Sequence, residues 1–560
     1  METNKFDVIV IGSGMSGGWA AKEFTEKGMK TLVLERGRKV EHIKDYPTTN
    51  MAPWEFEFRK KPSKETREEY PIQSQVYAFN EATKGFFASD KKHPYTYPPD
   101  KPFRWLKGFH TGGKSLTWWR QSYRLSEMDF ESNARDGHGV DWPVRYKDIA
   151  PWYDYVEESI GVSGQNEGLA QLPDGKFLKP MELNCVEEHL KDSLAQNFEG
   201  RTMTIGRTAH LTERHNERGP CQYRHMCETG CPFSGYFSSV SVTLPAAQKT
   251  GNMTFKPHAI VHSIIYDEKR GKATGVRVIN AETKETTEYF ARVIFLCAST
   301  LPSTQIMLNS ISESFPNGIA NSSGTLGRHL MDHYNIVTSA RIDGFEDGYY
   351  NGHRPNGIYI PRFQNLQNKE EDYVRGFAFQ GGASRAGWEL GNYIEGIGAE
   401  FKDSLRKPGP WFVNLSGYGE CLPYDDNKVE LHPELKDEWG MPLLHISCEL
   451  KENEKKIMKA MKDHGAEMLR KAGALDIRHT EPEDWIFGDG IHEMGTARMG
   501  KDPKTSVLNK WNACHDVPNL FVTDGSFMTS SACQNPSLTY MAFTARAANY
   551  AVEQMKKGVL

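Results

Sequence analysis

Three cysteines, Cys221, Cys227 and Cys231, fall within eleven residues of a 560-residue chain that holds nine in all. Their spacing is C-x5-C-x3-C and closes on Cys231-Pro232, a pattern that can wrap three thiolates around one centre. An iron–sulfur centre is one chemistry this permits. A zinc ion with His215 or His225 as fourth ligand is a second, although the usual C-x2–4-C opening is missing. A redox or structural thiol group is the third. The other six, Cys185, Cys297, Cys421, Cys448, Cys514 and Cys533, are scattered and read as small buried hydrophobes.

A second constellation lies near the C-terminus. His492-Glu-Met-Gly-Thr496-Ala-Arg-Met-Gly500 sets a histidine in a glycine-containing turn, where it can act as a base near neutral pH; a satisfied structural histidine is the alternative. Asp524-Gly525-Ser526 follows the apolar run Leu520-Phe-Val and offers a cofactor a close approach. Asn535-Pro536 then opens a small-residue helix through Thr539, Ala542, Ala545 and Ala547. It presents a side-chain amide and free N–H groups to a shared cavity.

The third constellation is N-terminal. Gly12-Ser13-Gly14-Met15-Ser16-Gly17 is a G-x-G-x-x-G loop, and Glu35 stands 18 residues beyond its last glycine. The first glycine permits the tight turn, the second lets the backbone approach a pyrophosphate, and the third packs helix on strand. The helix N-terminus stabilises the phosphate charge, and Glu35 suits a ribose 2′-OH. The loop predicts a dinucleotide without choosing between FAD and NAD.

The elements that must position these groups are legible around them. Phe6-Asp-Val-Ile-Val-Ile-Gly12 is a buried strand, Met15–Lys27 a helix stopped by Gly28, and Thr31–Leu34 the next strand, a βαβ unit. Residues 45–105 are rich in Pro, Lys, Glu and aromatics without a sustained period, which predicts a lid or long excursion. Residues 126–200 are helical and acidic. Residues 254–295 alternate as strands around the turn Lys269-Arg-Gly-Lys272 and end in Cys297-Ala298-Ser-Thr300. Strand-like segments such as Asn356–Pro361 and Trp411–Leu415 recur between 335 and 450.

Composition bounds the rest. At about 150 residues per domain the length suggests three to four units, or two large ones. Lys and Arg total 68 against 73 Asp and Glu, a net charge of −5, which argues against a nucleic-acid partner. No stretch approaches the roughly 18 consecutive apolar residues of a membrane span. Met1–Phe6 shows no basic or apolar leader and no twin arginine, so no export signal is expected in this chain.

Taken together, the N-terminal fingerprint and the His492, Asp524 and Asn535 motifs resemble the glucose–methanol–choline (GMC) oxidoreductase family. The resemblance extends to Gly112-Gly113-Lys-Ser115-Leu-Thr117-Trp118 and Cys297-Ala298-Ser-Thr-Leu-Pro-Ser303, similar to segments that line the flavin there. It implies an α/β fold, with a GMC-type, Rossmann-like FAD domain interleaved with an α+β substrate domain. FAD-site pieces near residues 12, 113, 298 and 524 give FAD-binding segments at 1–44, 106–125, 251–334 and 481–560. The remaining pieces are the excursion at 45–105, a helical part of the substrate domain at 126–205, the Cys-rich loop and return at 206–250, and the substrate-binding sheet at 335–480.

Within the family the C-terminal motifs look most like those of pyranose 2-oxidases and bacterial sugar 3-dehydrogenases. That likeness implies that His492 takes the substrate hydroxyl proton while hydride passes to FAD and Asn535 bonds the reacting oxygen. It also implies a sugar or glucoside substrate oxidised at C3 of a pyranose. Thr117 stands where some relatives carry a flavin-linking histidine, so FAD is expected to be non-covalent. Trp105, Trp118, Trp119, Arg120 and Gln121, with Gln380 in the substrate region, are the candidates for holding a sugar by its apolar faces and polar edges. The cysteine loop resembles the [3Fe–4S] loop of FAD-dependent glucose dehydrogenase catalytic subunits. This implies an electron outlet to a cytochrome c, a small signal-bearing partner subunit and a periplasmic, membrane-associated complex, with a cytoplasmic location as the alternative that the missing signal suggests. An oxygen-using GMC oxidase with a structural cysteine loop, an electron-transfer flavoprotein subunit without its own substrate, and an NAD-dependent Rossmann enzyme are the alternatives.

Overall fold

A computed structural model describes residues 4–47, 49, 51–345, 354–392 and 394–560. Thr48 and Asn50 of the expected excursion, and residues 346–353 and 393 of the expected substrate sheet, lie outside the described residues.

The N-terminal reading holds to within a residue or so. Lys5–Ile11 is the central strand, Met15–Glu26 the helix and Thr31–Leu34 the neighbouring strand. Val8, Ile9 and Val10 are fully buried, as expected for a parallel strand covered on both faces. Met253–Lys256, Thr31–Leu34, Lys5–Ile11 and Thr286–Leu296 lie side by side in parallel. Thr286–Leu296 is long enough to serve two partners along one edge. Its first half pairs antiparallel with Lys272–Asn280, and its last three residues pair parallel with Leu520–Val522. This delivers both Ala298 and Asp524 to the carboxyl end of the sheet, where ligands bind in open α/β folds.

The second sheet has six antiparallel strands in the order Leu475–His479, Tyr334–Ile342, Trp411–Gly419, Phe377–Arg385, Ile358–Ile360 and Thr204–Ile205. One of its faces is covered by the helix Glu452–Lys471, where Met461 lies against Gly417 and Gly419 and Thr338 fits against Gly465. A Cβ on any of these glycines would come within 3.0 Å of a neighbour, so the close approach of helix to sheet depends on them. A smaller sheet joins Pro442–Ser447, Lys428–Lys436, Arg328–Met331 and Met494–Thr496, tying the segment just after His492 to the middle of the chain.

The helical region contains Glu127–Asp136, Tyr146–Ile160 and Cys185–Asn197. The excursion contains short helical turns and one six-residue helix, Lys64–Glu69. It is pinned by a buried pairing of Gln73 with Asp90 and the Trp105 carbonyl. Among the described residues no helix is long and apolar enough to cross a membrane.

Candidate active site

A cavity of about 1710 Å³ runs from the carboxyl end of the first sheet to the inner face of the second. A single drug-sized ligand fills roughly 300–1,000 Å³, so a dinucleotide and a substrate fit together. Its floor at one end is the glycine loop. Gly12 has φ +97°, and a Cβ there would meet the Cys297 carbonyl at 2.4 Å. Gly14 faces open space, its nearest neighbour being 3.9 Å from a hypothetical Cβ. Gly17 stands behind the wall, where a Cβ would lie 2.0 Å from the Gly12 carbonyl oxygen. These are the three roles the spacing assigns: turn, ligand approach and packing.

Glu35 is buried on the cavity wall and accepts from the Ser13 N–H at 3.2 Å, the Ser13 hydroxyl at 2.5 Å and the Gly37 N–H at 2.9 Å. Burial pushes its carboxyl above the ordinary range against these bonds. The Ser13 hydroxyl also accepts from the Gly112 N–H at 3.0 Å, joining the first and second expected FAD segments. Met15, Ser16, Gly113, Ser115, Thr117, Trp118, Ala298, Asp524, Gly525, Asn535 and Pro536 share the same wall. Gly112, at φ +85°, and Thr539 do not; the Thr539 hydroxyl pairs with Tyr153 at 2.8 Å. Thr539 therefore supports the helix rather than the cavity surface. His110, the histidine next to the Thr111–Trp118 stretch, is also off the wall, its ring nitrogens at the carbonyls of Thr111 and Phe86.

The two expected catalytic groups meet in this cavity, each oriented by a neighbour. The ring of His333 has Nε2 at 2.8 Å from the Ala532 carbonyl. That carbonyl can only accept, so Nε2 carries the proton and Nδ1 of His333 is an acceptor. His492 Nδ1 lies 3.0 Å from it and must be the donor, which leaves the lone pair on Nε2 of His492. The backbone N–H groups of His492 and His333 both donate to Asp332 Oδ1 at 2.8 Å. Burial, with smaller contributions from His333 and Lys114, holds the His492 pKa well below 6.5. Burial likewise pushes His333 down to about 4. Both rings are neutral at neutral pH, the state a base requires.

Asn535 is fixed in the same way. Gln380 Nε2 donates to Asn535 Oδ1 at 2.6 Å, so the Asn535 amide keeps its N–H groups for another acceptor. Gln380 thus orients Asn535 as well as lining the cavity. Gln121 is on the wall, with its amide nitrogen donating to the Asn356 carbonyl and its oxygen accepting from Tyr123. Arg120 lies flat over the Tyr236 ring at 3.6 Å and donates to the Leu116 and Cys227 carbonyls. This brings it under the cysteine loop as well as to the cavity edge. Trp119 stands at the mouth, 56% exposed.

His333 and the polar face of the second sheet are members of the site that no local motif marks. Asn335, Asn414, Ser416 and Tyr418 line the cavity beside Gln380, at alternate positions of strands whose intervening residues are buried. The signal was present as the period-2 alternation in Trp411-Phe-Val-Asn-Leu-Ser-Gly-Tyr. Three of the charged groups on the cavity lining are paired: Lys114 with Glu493 at 2.9 Å, Arg354 with Glu187 at 2.7 Å and Arg104 with Asp489 at 2.9 Å.

The cysteine loop lies next to the segment carrying Arg120. Cys221 Sγ accepts from the Tyr223 N–H at 3.5 Å and Cys231 Sγ from the Gly235 N–H at 3.4 Å. An imidazole in contact with a thiol is that of His210, 3.7 Å from Cys227 Sγ. Burial pushes Cys227 up to about 12. Among the described residues no three His, Cys, Asp or Glu side chains are gathered to hold a metal ion, so a preformed zinc cage is absent there. The same absence applies to Cys221, Cys227 and Cys231 as the expected iron–sulfur ligands, whose side chains are not gathered into a three-ligand group.

Comparison with known proteins gives the same outline. The chain matches the GMC oxidoreductase family over residues 6–335 and 423–544. It is 27% identical to a 2-methyl-1,2-propanediol dehydrogenase from Mycolicibacterium austroafricanum, covering 97% of this chain and 94% of that one. It is 24% identical to the fructose dehydrogenase large subunit from Gluconobacter japonicus, covering 100% and 99%. Formate oxidase from Aspergillus oryzae shares the fold, with a TM-score of 0.63 at 13% identity over 99% of each chain.

Proposed function

The chain belongs to the GMC oxidoreductase family and is an FAD-dependent oxidoreductase, and from that premise we propose that it dehydrogenates a neutral polyhydroxylated alcohol. The substrate class is a sugar or glucoside, and the product is the ketone at a secondary ring position, C3 of the pyranose. The observation that carries this reading is that an imidazole with its lone pair on Nε2, His492, and an amide with free N–H groups, Asn535, line one cavity with the uncharged polar groups Asn335, Asn414, Ser416 and Gln380. A substrate hydroxyl between them loses its proton to His492, while the amide donates to the oxygen as it gains negative charge. Bound FAD, held by the glycine loop, Glu35, Gly113–Trp118, Ala298, Asp524-Gly525 and the Pro536 helix start, supplies the two-electron acceptor.

The reading extends to a [3Fe–4S] cluster on Cys221, Cys227 and Cys231. It is supported by the spacing, by the donors to Cys221 and Cys231 and by the nearby Arg120. Such a centre supplies one-electron transfer, which suits a cytochrome c acceptor. A small signal-bearing partner and a periplasmic, membrane-associated location complete the proposal. The fructose dehydrogenase relative is by name a large subunit, which favours a multi-subunit assembly. The absence of a gathered three-ligand group among the described residues favours a second reading, an oxidase with a structural cysteine loop.

Anaerobic purification with flavin and iron quantified separates the two. Cluster-bearing protein contains about three irons per flavin, bleaches with sugar and reduces an artificial acceptor without peroxide. Iron-free protein that makes peroxide supports the oxidase. The Cys221→Ser variant should retain substrate bleaching but lose iron and turnover to the protein acceptor. Locating the product carbonyl by NMR tests the C3 assignment, and a flavin that no sugar bleaches refutes the substrate class.

A further inference from the structure

The cavity lining also includes Tyr77, Trp119 and Tyr223, whose exposure places them at its rim. All three are strongly exposed, at 51%, 56% and 39%. Aromatic rings exposed to water on a cavity lining mark a recognition surface rather than packing. These rings are also held in place. The Tyr77 hydroxyl donates to the Thr117 carbonyl at 3.0 Å, which ties the phenol to the segment expected under the flavin. The Trp119 ring stands edge-on to Tyr77 at a centroid distance of 5.2 Å. Tyr223 comes from the cysteine loop and has φ +53°, an uncommon conformation for a non-glycine residue.

We infer that this rim is an outer subsite that binds the group attached to the reacting sugar. Its ligand class is a flat ring with an apolar face, either an aryl aglycone or the C–H face of a second pyranose. This inference rests on the reading of the inner site as a sugar site and makes the preferred substrate a glycoside rather than a free sugar. Two features separate the work of the two sites. Uncharged amides and hydroxyls line the inner wall, matching ring hydroxyls, whereas the rim offers aromatic faces that match C–H or π surfaces. The reacting ring is thereby held at His492 while its substituent rests on Trp119 and Tyr77.

The test uses the holoenzyme with methyl β-D-glucoside, phenyl β-D-glucoside and cellobiose. Binding is read by calorimetry on the oxidised enzyme, and reaction by anaerobic bleaching of the flavin. Stacking of one ring is expected to raise affinity roughly five- to tenfold over the methyl glucoside. In Trp119→Ala the phenyl-to-methyl ratio of kcat/KM should collapse to about one, and Trp119→Phe should restore most of it. A gain for the phenyl glucoside alone identifies an aryl aglycone, and a gain for both identifies any ring with an apolar face. Equal kcat/KM for methyl and phenyl glucosides in the wild type overturns the subsite. So does a Trp119→Ala variant that keeps the ratio but loses only turnover to a protein acceptor, because the rim would then serve docking. Tight phenyl glucoside binding with no bleaching by any glucoside upholds the subsite and refutes the inner sugar site. Neither binding nor bleaching refutes both.

Discussion

Replacing His333 with leucine removes the acceptor that holds His492 in one tautomer, while nearly filling the space. His333 is off the cavity wall, so substrate contacts are preserved. What is lost is the 3.0 Å bond to His492 Nδ1. A buried donor left without a partner costs about 1–3 kcal/mol. His492 can escape that cost by moving its proton to Nε2, the atom that must accept from substrate, or by turning its ring. Either escape depletes the reactive form, and at 1.36 kcal/mol per decade the rate falls roughly 5- to 150-fold. Glutamine at 333 can accept from His492 with its oxygen and donate to the Ala532 carbonyl, so His333→Gln should stay within about fivefold of wild type. The assay is anaerobic stopped-flow bleaching of the flavin at saturating alcohol, on protein of equal flavin content. The rate of bleaching should fall while the half-saturating alcohol concentration stays nearly constant. A leucine variant that bleaches at the wild-type rate refutes the tautomer argument, as does a glutamine variant as slow as leucine.

Gln380→Ala frees the Asn535 amide to rotate, and loss of one oriented donor should slow bleaching about tenfold. Asn535→Ala should slow it at least as much, and the double variant should add little, because both act through one amide; additive losses would place Gln380 on the substrate instead. Gly17→Ala puts a Cβ 2.0 Å from the Gly12 carbonyl oxygen and should yield protein with little bound flavin, checked by the absorbance ratio of flavin to protein. The acid limb of the bleaching rate should fall below pH 6.5, since burial lowers the pKa of His492; a limb above 6.5 contradicts this. His333 titrates near 4 when folded and near 6.5 when unfolded. Its unfolded form therefore binds the extra proton between these values. Stability is complete above about pH 6.5 and declines by up to about 3 kcal/mol towards pH 4, measurable as a falling urea midpoint that His333→Leu should flatten.

Sequence by itself determined the chemistry on offer. Glycine spacing specified a turn that only glycines can make, because the close approaches at Gly12 and Gly17 leave no room for a Cβ. Apolar β-branched runs marked the strands that carry that turn, and His492 and Asn535 were identifiable because each sits in a local turn or helix start whose residue types are distinctive. Local signals end there. His333 is 159 positions from His492, and nothing within its own stretch, His329-Leu-Met-Asp-His333, distinguishes a tautomer-setting residue from a buried one. The partnership exists because Arg328–Met331 pairs with Met494–Thr496, bringing the two histidines together. Gln380 is similar: its type suggested a sugar, but antiparallel pairing within the second sheet and the path of the Asn535 turn make it also the partner that orients an amide. The cysteine loop shows the same division. Its spacing announced thiol chemistry, whereas only the folded chain decides that Arg120 lies beneath it, that His210 touches Cys227, and that Tyr223 joins the cavity lining. Periodicity and spacing report what neighbours in the chain can do together. Which distant groups share a proton or a cavity is decided by strand pairing and packing, and that exists only in the tertiary structure.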